Sequence, residues 1–296
     1  MINAKSKPSN LWWDSWRRFK RDRSAVIGLT ILLLTIATIL VLPLIYTNSA
    51  DKIDFLAASS PPSWEHPFGT NDLGQDQLAR ILLGGRVSLA VGVASMLVAV
   101  IVGTTVGAIA GFYGGIVDGI LMRITDIFLA LPQLPLLLLI VYLFRDAVKK
   151  LAGAELGIFI LIVVLIGGLN WMSVARLVRA NFLKLREMEF VSAARAIGAK
   201  PRRLIWTHLL PNVLSVIIVA ATLAVGNGII TESTLSFLGL GFPPDVPTWG
   251  RMLFEAKDFL TSAPYMALFP GLAIFLTVLS INYIGEGLRD ALDPKS

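Results

Sequence analysis

The chain of 296 residues contains no cysteine and only two histidines, His66 and His208. These absences exclude disulfide bonds, thiolate chemistry, cysteine-ligated zinc sites and iron–sulfur clusters. Charged residues are also scarce, at 16% against about 25% in a typical soluble domain. The sequence has no G-x-x-x-x-G-K-[ST] phosphate-binding loop, so we expect this chain alone not to bind and hydrolyse ATP. We also predict no catalytic, cofactor-binding or metal-ligating residue in this chain.

The sequence is instead rich in apolar residues, which make up 55% of the chain and give a mean hydropathy of +0.72. A helix needs about 20 apolar residues to cross a membrane. The runs of about this length are 25–45, 87–112, 124–144, 157–174, 213–230 and 265–284. They predict an all-α integral membrane protein with six transmembrane helices. The first run exceeds the apolar core of about 7–15 residues in a signal peptide, so we interpret it as an anchor.

Basic residues are unequally divided between the two sides of the predicted spans. The side that holds both termini carries 18 Lys and Arg, and the other side carries eight. Because cytoplasmic loops are enriched in these residues, both termini are predicted to be cytoplasmic. The net charge of +6 is therefore a topology signal and does not indicate nucleic-acid binding. The Trp-, Arg- and Lys-rich leader predicts an amphipathic segment on the inner membrane surface.

These signals divide the chain into consecutive segments. We predict a cytoplasmic segment at 1–24, a first transmembrane helix at 25–45, a periplasmic or extracellular loop at 46–86, a five-helix core at 87–290 and a cytoplasmic tail at 291–296. The core contains an inner loop at 175–212 and an outer loop at 231–264. This arrangement predicts that the two core loops lie on opposite sides of the membrane.

The inner loop contains an ordered pattern that its charge does not explain. An alanine-rich stretch from Glu189 to Ile197 predicts a short helix, and Gly198 follows where a left-handed cap ends it. Pro201 fits the first turn of a second helix. Small alanine side chains allow close approach to another protein. The alternative is that eight basic residues in this loop only fix the topology.

Polar and helix-breaking residues interrupt some of the spans. Span five carries a small, polar run that includes Thr222, Asn227, Thr231 and Glu232. These residues could line a water-filled pathway, or they could pack helices against each other. In span three, Asp126 is expected to pair with a nearby base such as Arg123, and Pro132 and Pro135 predict kinks.

The first outer loop is rich in turn residues. Its glycines and proline predict turns around a short helix at 75–83, the turn residues being Pro67, Gly69, Gly74, Gly84 and Gly85. This loop could receive a soluble protein or simply pack over the spans. His66 has no second ligand nearby in sequence, which favours a hydrogen bond within the loop over a metal site.

The inner loop resembles the EAA motif of inner-membrane subunits of ABC importers. In that motif two alanines are followed by a glycine and then by Leu-Pro, and the matching residues are Ala193, Ala194, Gly198, Leu210 and Pro211. Ser192 stands where an acidic residue is usual, and His208 stands where isoleucine is usual. The acid lies three residues earlier, at Glu189, which is similar to the dipeptide/oligopeptide branch.

Other segments resemble the same branch, and the resemblance extends over residues 17–294. They are the approach to the first span at 21–34, the outer loop at 64–76 with Gln75 in place of a common arginine, and the stretches 236–241 and 247–250. The whole chain looks most like the second, C-type permease of a heterodimeric pair. The resemblance places it as a multi-pass protein of the bacterial inner membrane.

In that family the short inner helix is a coupling helix that docks on an ATP-binding subunit. The resemblance therefore implies a coupling role for Glu189, Ala193, Ala194, Arg195, Gly198 and Pro211. It also implies a second homologous permease, two ATP-binding subunits that bind ATP and Mg, and a soluble substrate-binding protein. Motion of the spans, and no covalent chemistry, would be the task of this chain.

The cargo implied by the resemblance is a di- or oligopeptide, and alternatives stay open. Nickel chelates and glutathione are cargoes of the same branch. A self-sufficient ion-coupled carrier would be expected to show paired charges at mid-span or repeated broken helices, which the sequence lacks. A scaffold or receptor without transport is disfavoured by the pattern of the inner loop.

Overall fold

The computed structural model describes residues 11–292, and these residues form a helical bundle without a β-strand. In chain order the helices are α1 (Leu11–Phe19), α2 (Arg23–Val41), α3 (Gln77–Tyr113), α4 (Gly115–Ala130), α5 (Gln133–Ala152), α6 (Ala154–Arg186), α7 (Glu189–Ala196), α8 (Pro201–Arg203), α9 (Leu210–Phe237), α10 (Trp249–Ala256) and α11 (Tyr265–Leu292). A π-helical turn at Leu204–Leu209 joins α8 to α9. The all-α prediction is confirmed.

Five of these helical segments are long and apolar enough to cross a membrane, and α4 with α5 forms a sixth candidate. The first begins where Asp22 caps α2, since its carboxylate accepts hydrogen bonds from the backbone amides of Ser24 and Ala25. Many of their outward-facing apolar side chains are exposed in the isolated chain. Such surfaces are expected for helices that contact lipid or other membrane subunits.

The third predicted span is not a continuous helix, which corrects the expectation of simple kinks. Helices α4 and α5 meet at 85°. Leu131 adopts an extended conformation (φ −74°, ψ 138°) because the following residue, Pro132, disfavours a helical predecessor. Pro132 also lacks an amide hydrogen, so the helical hydrogen bonding of α4 cannot continue through it.

The long helix α3 begins ten residues before the predicted second span and absorbs the short helix predicted at 75–83. Asp76 caps its start, and the Asp76 Oδ1 atom accepts a hydrogen bond from the Ala79 amide at 2.7 Å. Gly84 and Gly85 lie within α3 and do not form turns. A Cβ atom at Gly84 would lie 3.2 Å from the Thr248 Cα atom, so this glycine permits close packing.

Other helix ends also extend beyond the predicted spans. Helix α6 continues to Arg186, so the first third of the predicted inner loop at 175–212 is helical. Helix α9 continues to Phe237, which brings the start of the predicted outer loop at 231–264 into the helix. Residues 1–10 of the predicted segment 1–24 and residues 293–296 of the predicted tail 291–296 lie outside the described residues.

Helices α3 and α6 pack along a row of glycines that forms the centre of the bundle. Gly103, Gly107 and Gly111 recur every fourth residue, so they share one face of α3. Added Cβ atoms would lie 2.6 Å from the Trp171 oxygen, 2.4 Å from the Ala175 oxygen and 2.5 Å from the Phe182 Cβ atom, respectively. The absence of side chains lets the two backbones approach closely, as in other membrane helix pairs.

Candidate functional site

Helix α7 lies beside the membrane bundle and has two distinct faces. Val191 and Ala194 are buried on one face, where they join a hydrophobic cluster with Phe112 of α3, Phe182 of α6 and Val213 of α9. The opposite face is exposed to solvent in the isolated chain. The short helix is therefore attached to three long helices at once.

The end of α7 has the geometry predicted from the sequence. Gly198 adopts a left-handed conformation with φ +84°. Its amide donates to the Arg195 oxygen at 2.9 Å, and the Ala199 amide donates to the Ala194 oxygen at 3.0 Å. This pair of hydrogen bonds is the Schellman motif, which satisfies carbonyls at the end of a helix. Pro201 then occupies the first turn of α8, as predicted.

Two arginines connect the α7 region to the end of α3. The Arg195 guanidinium lies over the Phe112 ring, with 5.7 Å between the Cζ atom and the ring centroid. The Arg186 Nη1 atom lies 3.4 Å from the carbonyl oxygens of both Gly111 and Phe112, in the last turn of α3. A cation is favourable there because the carbonyls at a helix C-terminus carry partial negative charge.

Exposed apolar side chains lie on α7 and on the segments that follow and precede it in the sequence. Ile197 is 87% exposed and Trp206 is 64% exposed, while Met188 and Phe190 are each 42% exposed. Apolar groups clustered on an exposed surface often mark a contact with another protein. Sequence reasoning missed this group because the EAA pattern directs attention to the alanines.

The structure separates the residues predicted to take part in coupling. Glu189, Ala193 and Arg195 are exposed on α7, Gly198 is exposed at its end, and Pro211 is exposed at the start of α9. Ala194, by contrast, is only 7% exposed and packs into the bundle. Neighbouring residues lie about 100° apart around a helix, so Ala193 faces the solvent while Ala194 faces the bundle. The predicted coupling role of the two alanines stays a prediction.

A cavity of about 650 Å³ lies between α6, α9 and α11. Its walls are mostly aliphatic, and its polar lining residues are Asn170, Ser173, Ser215, Asn227 and Arg289. Ser215 and Asn227 belong to a row of residues at every fourth position of α9, through Val219 and Leu223, that lines the cavity. That spacing is a signal that the sequence contained, whereas the contributions of α6 and α11 follow only from the fold.

Only one of the four predicted pathway residues lines this cavity. Asn227 does so, whereas the hydroxyls of Thr222 and Thr231 donate to the carbonyls of Ile218 and Asn227 in the same helix. Glu232 is fully buried, at 0% exposure. Residues of α3 and of α9 contact its carboxylate, which fits the alternative of helix packing, and its place on a pathway stays a prediction.

Helix α4 is joined to α6 by two ion pairs. The Arg176 Nη2 atom lies 2.5 Å from the Asp126 Oδ1 atom, so the expected Asp126–Arg123 pair is wrong. Arg179 contacts both carboxylate oxygens of Asp118, and its Nη2 atom lies 2.6 Å from Oδ2. Sequence reasoning missed these pairs because their partners are 50 and 61 residues apart.

The first outer loop is held together around Asp76. Its Oδ2 atom accepts a hydrogen bond from the Tyr46 hydroxyl at 2.7 Å and lies 2.8 Å from the His66 Nδ1 atom. Burial and this carboxylate hold the pKa of Tyr46 above its ordinary value. Gly69 and Gly74 form left-handed turns as expected. The predicted hydrogen-bonding role of His66 within the loop is confirmed.

Comparisons with known proteins agree with this architecture. Residues 103–296 match the family described as the binding-protein-dependent transport system inner membrane component, and residues 10–62 match the N-terminal transmembrane domain of oligopeptide transport permease C. A protein of Brucella suis biovar 1 (strain 1330), named as a peptide permease, is 40% identical over 95% of this chain and 90% of its own length.

Two further comparisons extend the match. The glutathione transport system permease protein GsiD of Salmonella paratyphi A is 41% identical over 96% of this chain and 90% of its own length. The inward-facing MetNI methionine ABC transporter has a chain of similar fold, with a TM-score of 0.51 and 18% identity. That likeness covers 71% of this chain and 94% of the other.

The chain therefore belongs to the binding-protein-dependent inner-membrane transport components, which are the permease subunits of ABC importers. Within that family it is a multi-pass permease of the peptide and oligopeptide branch. Permeases of this kind work with ATPase and substrate-binding partners and have no ATPase site of their own.

Proposed function

We propose that this chain forms half of the translocation pathway of an ATP-driven importer of di- or oligopeptides. The observation that carries the proposal is α7, whose buried Val191 fixes it to the bundle while Phe190, Ile197 and Trp206 stay exposed. Such a helix transmits force from a protein that covers its apolar face. An ATP-binding subunit would move α7, and α7 would move α3, α6 and α9 with it.

The complex that this proposal requires has five subunits. A second, homologous permease supplies the other half of the pathway, and two ATP-binding subunits hold ATP and Mg and grip the two coupling helices. A soluble binding protein delivers the cargo from the outer side. Both termini and α7 lie on the cytoplasmic side of a bacterial inner membrane. The 18-to-8 distribution of basic residues supports this orientation.

The cavity beside α9 supports a peptide as the cargo. Asn170 and Asn227 offer amide groups that can both donate and accept hydrogen bonds, and Arg289 offers a positive charge. A peptide presents amide groups and a carboxylate, and the aliphatic walls accept varied side chains. During transport the spans exchange between inward-open and outward-open packings, biased by ATP and by the cargo.

Reconstitution in liposomes tests the proposed composition. This chain alone should accumulate no radiolabelled dipeptide, with or without ATP or an ion gradient. Adding the second permease, both ATPases and the binding protein should produce ATP-dependent uptake that stops when the binding protein is left out. Accumulation by the isolated chain under an ion gradient would favour the carrier alternative.

Glutathione is a second candidate cargo, because a permease with 41% identity is named for glutathione transport. Glutathione is itself a small peptide with two carboxylates, so it suits the same cavity. Competition distinguishes the two cargoes in the assembled complex. An excess of unlabelled dipeptide should block dipeptide uptake, and glutathione should compete at similar concentration only if it is the physiological cargo.

A further inference from the structure

Glu232 lies near the end of α9 and is the most deeply buried of the acidic side chains that the structure describes. Its contacts are unusual. Its side chain is 0% exposed, and no Lys or Arg among residues 11–292 forms an ion pair with it. Both carboxylate oxygens instead meet hydroxyl groups. Ser236 Oγ lies 2.7 Å from Oε1, and Ser88 Oγ lies 3.1 Å from Oε2.

These two hydroxyls connect the carboxylate to the start of α10. The Trp249 amide donates to Ser88 Oγ at 3.3 Å. The Arg251 amide donates to Thr248 Oγ1 at 3.1 Å, and that hydroxyl donates to Ser236 Oγ at 3.4 Å. Two short relays thus lead from backbone amides of α10 to the two oxygens of one side chain.

The direction of both relays follows from hydrogen-bonding chemistry. A backbone amide can only donate, and a hydroxyl has one proton to donate onward. Since Ser88 accepts from an amide and Ser236 accepts from Thr248, their protons remain for Glu232. The arrangement therefore requires that both terminal side-chain atoms of residue 232 accept a hydrogen bond, as the two carboxylate oxygens of Glu232 do. Glutamine would place a donor nitrogen at one of them.

The segment that these relays hold is also tightly packed. A Cβ atom at Gly250 of α10 would lie 2.4 Å from the Ser233 Cα atom of α9. The Trp249 indole is fully buried, and its Nε1 atom donates to the Ile81 oxygen of α3 at 3.1 Å. Helices α3, α9 and α10 therefore meet at one seam, and Glu232 is the polar centre of it.

We propose that Glu232 is a positioning residue that latches α10 and residues 238–248 onto α3 and α9, so that movement of α9 is delivered to the outer loop. Helix α9 follows the α7–α8 segment through the π-helical turn at Leu204–Leu209 and runs for 28 residues. It therefore spans about 40 Å. Its far end would slide past α10 without a fixed connection. The latch makes these elements move together when α7 moves.

Chemical labelling of one introduced cysteine tests the latch. The chain has no native cysteine, and Met252 of α10 is 1% exposed. In the reconstituted complex, a Met252→Cys chain is reacted from outside with an impermeant maleimide. Adding Glu232→Gln should raise the labelling rate about tenfold, since it disturbs one hydrogen bond and leaves the neighbouring hydroxyl proton without an acceptor.

The controls separate positioning from general destabilisation. Ser88→Ala removes one relay and should raise labelling about threefold to tenfold. Ser95→Ala is the matched control, because Ser95 is buried on the same helix and donates to the Val91 oxygen in its own helix. That variant should label within about twofold of the parent, the range expected when no relay is broken.

A transport measurement completes the test. Glu232→Gln keeps the volume of the side chain, so a packing role would survive it. The latch requires that peptide imported per ATP hydrolysed falls while the complex still assembles and hydrolyses ATP. If Glu232→Gln labels and transports like the parent, the proposal is overturned, whatever Ser88→Ala does. If Glu232→Gln fails to assemble, Ser88→Ala decides, and parental labelling in that variant overturns the proposal.

Discussion

Arg195 of α7 lies over the aromatic ring of Phe112 in the last turns of α3, with the guanidinium carbon 5.7 Å from the ring centroid. The same phenylalanine belongs to the buried hydrophobic cluster that contains Val191, also in α7. Phe112 of α3 is thus linked to α7 in two ways, by the guanidinium of Arg195 and by the hydrophobic cluster that contains Val191. Under the proposed coupling role, we expect this contact to carry part of the motion of α7 to α3.

Replacing Arg195 with alanine should weaken coupling without preventing assembly. A cation–π contact at an exposed site contributes about 0.5–1 kcal/mol, so we expect peptide uptake to fall about twofold to fivefold. Arg202→Ala is the matched control, because it removes the same charge from an exposed position in the same inner loop. Equal losses in the two variants would mean that only the charge of the loop matters.

Gly198 should tolerate asparagine but not valine. An added Cβ would meet no atom within 4 Å, so the cost arises only from the backbone at φ +84°. A left-handed conformation costs a typical residue about 1–2 kcal/mol, and asparagine adopts it more readily than valine. We expect Gly198→Val to insert in the membrane but to lose uptake and copurification with the ATPase, while Gly198→Asn retains most of both. If the valine variant took up peptide like the parent, the left-handed cap at Gly198 would have no role in coupling.

Local signals in the sequence were sufficient for the helical class and for the cap of α7. Each depends on residues within three or four turns of one helix. The 85° break between α4 and α5 was underestimated because Pro132 indicates a disruption but not its angle. The angle depends on contacts of α4 with α6, such as Asp118 with Arg179, which are distant in sequence.

The roles of buried polar residues were the hardest to predict. Glu232 resembles Thr231 and Asn227 in sequence context, yet it is buried among hydroxyls from α3 and from the segment before α10. Helical spacing places residue 232 on a face of α9 but does not reveal what covers that face. The same limit explains Ala194, which is buried although its neighbour Ala193 is exposed.

The glycine row of α3 should be intolerant of even one methyl group. In Gly107→Ala the new Cβ would lie 2.4 Å from the Ala175 oxygen, so α3 and α6 must separate. Overpacking of this kind typically costs about 1–3 kcal/mol, and the thermal midpoint of the purified protein in detergent should fall by several degrees. Gly168→Ala on α6 is the control, because its Cβ would meet no atom within 4 Å. A Gly107→Ala protein as stable as this control would contradict the close approach of the two backbones.

The orientation of the chain can be tested with single cysteines on opposite sides of the membrane. Asp245 is exposed in the loop before α10, and Arg195 is exposed on α7. The excess of basic residues beside α7 predicts that it faces the cytoplasm. In intact spheroplasts an impermeant maleimide should therefore label Asp245→Cys and leave Arg195→Cys unlabelled. Permeabilised membranes should label both, which controls for reactivity. The reverse pattern in intact cells would place α7 outside, where no ATP-binding subunit could reach it, and would overturn both the topology and the proposed coupling role.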